Sequence, residues 1–215
     1  MTAAANFQLN QFRITETRSL HNDTDYVTFS VRVGNKTYGP VQKRIGDVNN
    51  GTHNVGLTFD HVPFERSDKI TIAYQIVNAG HADPNTFMSS LGSATQGLVE
   101  GDTGDSTMID DSGNLSSNDN GIDWGKVIAQ VLSVLGGFLS ADCDGIVAID
   151  KIHLTGHDIR DAWDKGNTQY SQTKFYNGNA IYKPAPFGCN ASPSKYYVYW
   201  FSENRNFAFE RVAKF

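Results

Sequence analysis

The sequence predicts a mostly β protein: an antiparallel β-sandwich with one buried apolar helix and a C-terminal β unit. Three observations carry that expectation. Up to about residue 80 the apolar side chains recur with period two, from Ile122 to Ser140 they recur at three- and four-residue spacing, and the last third is rich in aromatic and β-branched residues. The chain has 215 residues, of which 39% are hydrophobic and 19% charged. That is enough apolar material for a sizeable core and too little charge for a disordered chain or a coiled coil.

The first segment, residues 1–80, reads as sandwich strands. Tyr26 to Val33 alternates strictly, placing Val27, Phe29, Val31 and Val33 on one face and Tyr26, Thr28, Ser30 and Arg32 on the other. Val55, Leu57 and Phe59 repeat the pattern, as do Ile70, Ile72, Tyr74 and Ile76, and the segment around Phe12 and Ile14 is compatible with it. Turn residues separate these runs, at His21 to Asp25, Gly34-Asn35, Asn49 to Gly51 and Ser67-Asp68. Short strands with no helical pattern between them argue an antiparallel sandwich rather than βαβ units.

Residues 81–121 form an acidic connection rich in Gly, Ser and Asp. From Ile70 to Trp124 there is no Lys or Arg, while seven Asp and Glu100 bring that stretch to about −8 against −5 for the chain, so the rest carries +3. Thr103 to Gly121 reads as a solvated linker, with an ordered cation-binding loop as the alternative. Residues 122–140 read as a helix, because Val127, Ile128, Val131, Leu132, Leu135, Phe138 and Leu139 fall at helical spacing. Its thin polar face, mainly Lys126, Gln130 and Ser133, predicts a nearly surrounded helix. Residues 141–215 return to β, with strands expected at Gly145 to Leu154, Gln169 to Tyr176, Tyr196 to Phe201 and Phe207 to Val212. Whether this unit integrates with the first into one domain stays open at this level.

A net charge of −5 gives no sequence-independent hold on nucleic acid. No basic region followed by an apolar stretch is visible at Met1 to Asn6. Val127 to Leu139 is short of the roughly 20 residues that cross a bilayer. The two cysteines, Cys143 and Cys189, sit in no metal or redox motif, so a single disulfide between them is expected, with two inert thiols as the alternative. A disulfide implies a secreted or extracellular-surface setting.

Chemistry-bearing residues are few. Asp23-Thr24-Asp25 and Asp142-Cys143-Asp144-Gly145 each offer two carboxylates in an expected turn, so Asp23, Asp25, Asp142 and Asp144 are the candidate ligands for a Ca²⁺ ion. Ordinary turn chemistry is the rival explanation. His153 and His157 are spaced for a metal on a helix, but Thr155-Gly156 interrupts the segment, which reads as strand then turn. No GxSxG, Cys-His or SxxK context and no phosphate-cradling glycine loop is present, which argues against an enzyme. A hydrolase built from scattered carboxylates remains one alternative. Exposed aromatic rings stack on sugar faces, so Trp163, Tyr199 and Trp200 are the candidate ligand-binding platforms. The leading expectation is an exported, non-enzymatic binding module for a glycan or cell-surface partner, with Ca²⁺ assistance as an option. The main alternative is a membrane-active, toxin-like protein that exposes residues 127–139.

Overall fold

The computed structural model describes residues 2–19, 22–100, 108–109, 115–116, 124–139, 143–176 and 194–204. Two four-stranded antiparallel sheets face each other, as the sequence predicts. One has the order β4(Gly51–Phe64), β1(Ala3–Glu16), β10(Ser194–Asn204), β9(Gln169–Tyr176). The other runs β3(Lys36–Val48), β2(Asp23–Val33), β5(Lys69–Asn78), β8(Gly145–Thr155). A two-residue pair, β6(Met108–Ile109) and β7(Leu115–Ser116), stands apart. Between the large sheets Phe7, Leu9 and Phe12 of β1, Phe29 and Val31 of β2, Ile72 and Tyr74 of β5, and Tyr196, Val198 and Trp200 of β10 form one buried core. Because β10 pairs along β1 and β8 along β5, the C-terminal strands are built into the same two sheets as the N-terminal ones.

Several elements depart from the sequence expectation. The acidic connection contains a 17-residue helix, α1(Pro84–Glu100). Asp83 accepts from the backbone N–H of Thr86, and Pro84 opens the helix where its missing N–H costs nothing. Phe87, Leu91, Ala94 and Leu98 then share a buried face. Its frequent Ser and Gly dilute this stripe, which is why composition reads as a linker.

The helix covers the outer face of β2, which period two assigns to solvent. Tyr26 meets Phe87 edge-on at 4.9 Å, and Gln75 donates to Thr95 Oγ1. Arg32 reaches the last turn of α1, donating to the carbonyls of Val99 and Glu100. The fold thus gains a third, helical layer with its own core.

The apolar helix predicted over 122–140 is α2(Trp124–Leu135), and over its described side chains it is one-sided rather than nearly surrounded. Val131, Leu135 and Leu139 are buried against α1, whereas Ala129, Gln130, Ser133 and Val134 are exposed. Among the described residues no helix is long and apolar enough to cross a membrane. Leu135 is fully buried, so Leu135→Ala should lower the unfolding free energy by about 2–5 kcal/mol in urea titrations.

Edge strand β3 is invisible to periodicity because every residue but Val48 is exposed or half-buried and it carries Gly39-Pro40 and Gly46, residues a sheet tolerates at an edge. The turn expected after His153 is instead α3(Gly156–Asp164), started by a capping box in which Thr155 and Asp158 exchange hydrogen bonds. Gly156 is required there, since a β-carbon would collide with the backbone carbonyl of Glu65. The strand expected at Phe207 to Val212 and most of Thr103 to Gly121 lie outside the described residues.

Candidate functional site: an aromatic row on the outer sheet face

Strand β10 alternates cleanly between buried and half-buried positions. Tyr196, Val198 and Trp200 point into the core, and Tyr197, Tyr199 and Phe201 point outward. Trp200 is fully buried, which removes it from the candidate platforms. Sequence alternation leaves the choice of face undecided, and the neighbouring sheet decides it.

The outward row is flanked by polar side chains set by strand register. Phe201 lies opposite Gln8, Tyr199 opposite Gln11, and Tyr197 opposite Arg13. On the far side of β1 the same three positions face Thr58, Asn54 and Thr52 of β4. A β-bulge between Leu9 and Gln11 keeps Gln8, Gln11 and Arg13 on the outer face. Arg13 stacks over the Tyr197 ring at 4.6 Å, and Lys195 lies 5.2 Å from the same ring. The Lys195 hydrogen bond, with the nearby charges of Lys195 and Arg13, holds the Tyr197 phenol below its usual range. The result is a row of three outward rings, bordered by amide and hydroxyl groups, on a strand paired on both sides.

Trp163 sits elsewhere. Its indole N–H donates to the carbonyl and hydroxyl oxygens of Ser202, and its ring packs edge-on against Phe64 at 5.6 Å. It pins α3 to the sheets and borders a cavity of about 150 Å³ with Arg66, Arg160 and Asp164. Of the three aromatic candidates, Tyr199 alone belongs to the row.

The acidic candidates occupy a buried cluster at one end of the sandwich. Asp23 and Asp25 are strand residues of β2 with no solvent exposure, not turn residues. Asp23 accepts from the backbone N–H groups of Arg18 and Ser19 at 2.8 Å each and from the Asn78 amide at 3.2 Å. Asp144 accepts from the Gly80 N–H at 2.9 Å, and the Arg18 side chain donates to the Cys143 carbonyl at 2.6 Å. Asp23 and Asp144 therefore converge around Arg18, and Asp25 joins Asp23 through the Tyr196 hydroxyl. Asp142 lies outside the described residues. Among the described residues no group of three or more His, Cys, Asp or Glu is arranged to hold a metal ion. Cys143 is not a free thiol, and Cys189 lies outside the described residues.

Protons in this cluster can be counted. The Tyr196 hydroxyl lies 2.7 Å from Asp23 Oδ2 and 3.1 Å from Asp25 Oδ2. It has one hydrogen to donate, and Asp23, the nearer of the two and already the gatherer of three N–H donors, accepts it. The second contact is a hydrogen bond only if Asp25 keeps its own proton. Burial first, and then the Asp23 charge, raise the Asp25 carboxyl well above the usual carboxylate range. Burial, followed by the neighbouring Asp25 and Asp23 carboxyl groups, raises Tyr196 as well, so its hydroxyl stays a donor. No signal in the sequence pairs Tyr196 with Asp23, since they are 173 positions apart.

No family model matches the chain, and no curated protein matches its sequence.

Proposed function

We propose that the protein is an exported, non-enzymatic binding module that recognises a glycan or a glycosylated cell-surface partner through the outer face of the β4–β1–β10–β9 sheet. The observation that carries this reading is the outward row Tyr197, Tyr199, Phe201, with Gln8, Gln11 and Asn54 beside it. Aromatic faces supply apolar contact to the C–H face of a sugar ring, and side-chain amides match its hydroxyls. Outward positions two residues apart on a strand are about 7 Å apart, a spacing that lets adjacent rings engage neighbouring units of a saccharide chain. A Cys143–Cys189 disulfide belongs to the same exported reading. Calcium assistance is a separable part of the proposal, tested by repeating binding with millimolar Ca²⁺ and with EDTA.

Tyr199→Ala should weaken binding on a glycan array or in titrations with the best hit by about tenfold or more while leaving the unfolding midpoint little changed. Unchanged affinity in a folded Tyr199→Ala protein would overturn the reading. The membrane-active alternative is tested by dye release from liposomes at neutral and acid pH. With Val131, Leu135 and Leu139 committed to the helical core, the liposomes are expected to stay intact.

A further inference from the structure

We infer that the ligand of this face is an acidic polysaccharide whose carboxylate or sulfate docks at the Tyr197 end of the row. The inference rests on the glycan-binding reading above and adds the charge class of the ligand. The two ends of the row differ electrically. At the Tyr197 end stand Arg13 and Lys195, both held over one ring, with exposed Glu16 across from Lys195, so two cations face one anion. The middle of the row, Gln11 and Tyr199, is uncharged. Past Phe201 the next outward residue of β10 is the exposed Glu203. An acidic group is therefore drawn to one end and repelled from the other, which also sets the direction in which a chain lies along the strip.

The cations are local to this face rather than a general property of the molecule, whose net charge is −5. Stacking on Tyr197 pre-orients the Arg13 guanidinium, so less side-chain entropy is lost when it grips an anion. Its planar fork suits the paired oxygens of a carboxylate or sulfate, with Lys195 adding a point charge. The lowered Tyr197 phenol reports the same positive potential at that end.

The test compares binding to polygalacturonate, dextran sulfate and neutral dextran, each at low and high salt. Wild-type protein is expected to prefer an acidic polymer over dextran by about tenfold or more, with the preference shrinking as salt rises. Preference for polygalacturonate identifies a uronate, and preference for dextran sulfate a sulfate. Replacing both Arg13→Gln and Lys195→Gln should abolish the preference, whereas Lys36→Gln with Arg44→Gln on β3 removes equal charge from the other sheet and should keep it. Unfolding curves for both double variants separate loss of fold from loss of binding. Equal binding to neutral and acidic polymers, unaffected by the Arg13 and Lys195 changes, overturns this inference and leaves the glycan reading standing. Binding to none of the polymers or to any array glycan overturns both. Acidic binding that survives Tyr199→Ala unchanged overturns both as well, since charge alone would then suffice.

Discussion

Trp200→Ala is expected to lower the unfolding free energy by about 3–5 kcal/mol and to leave little folded protein at physiological temperature. Trp200 has no solvent exposure and lies in the core between the sheets, on a strand paired on both sides. Removing the indole deletes a large buried surface and leaves a space that neighbours held in two sheets cannot collapse to fill. Urea unfolding followed by circular dichroism measures the loss. A change below about 1 kcal/mol would mean that this strand does not seal the core. The adjacent Tyr199→Ala makes a sharp contrast: one residue along, the same strand loses an outward, half-buried ring, and the cost should fall on binding instead of folding.

The second large effect is a dependence of stability on pH. In the unfolded chain Asp25 titrates near the usual carboxylate value of about 4, while in the fold its proton is held to a much higher pH. A group whose folded value is raised contributes its stabilising effect fully below the unfolded value and loses it as pH rises through the folded one. Between those two values the native state binds one more proton than the unfolded state, so stability falls by up to about 1.4 kcal/mol per pH unit. The groups facing Asp25 are Asp23 on its own strand and Tyr196 from β10. Asp25→Asn mimics the protonated acid, since its amide N–H can donate to the Tyr196 oxygen. This variant should flatten the slope above the unfolded carboxylate value of about 4. Asp23→Asn should instead destabilise at every pH, because it removes the charge that gathers the Arg18, Ser19 and Asn78 donors. An unchanged slope in Asp25→Asn would show that Asp25 is ionised in the native protein.

The proton count also explains how two carboxylates two residues apart coexist in a core. Ionised together they would repel in a medium that screens poorly, at a cost a marginally stable domain cannot absorb. Sharing the Tyr196 hydroxyl lets one stay charged and the other neutral, and ties β2 of one sheet to β10 of the other.

What the sequence by itself determined is the class of the fold and the inward face of its strands. Period two in Tyr26–Val33 and Ile70–Ile76 put Val27, Phe29, Val31, Ile72 and Tyr74 between the sheets, because a strand's side-chain period is a local property of the backbone. The tertiary structure decided whatever depends on a second surface. It chose which face of Tyr196–Phe201 is buried, and it covered the outer face of β2 with a helix whose stripe of Phe87, Leu91, Ala94 and Leu98 is too diluted by Ser and Gly to announce itself. It also took Asp23 and Asp144 from the two acidic motifs and set them around one arginine, with Asp25 joined to Asp23 through Tyr196. Local patterns report how a segment wants to lie. Which distant segment lies against it is settled by burial and hydrogen-bond satisfaction summed over the whole chain, and that sum has no local signature.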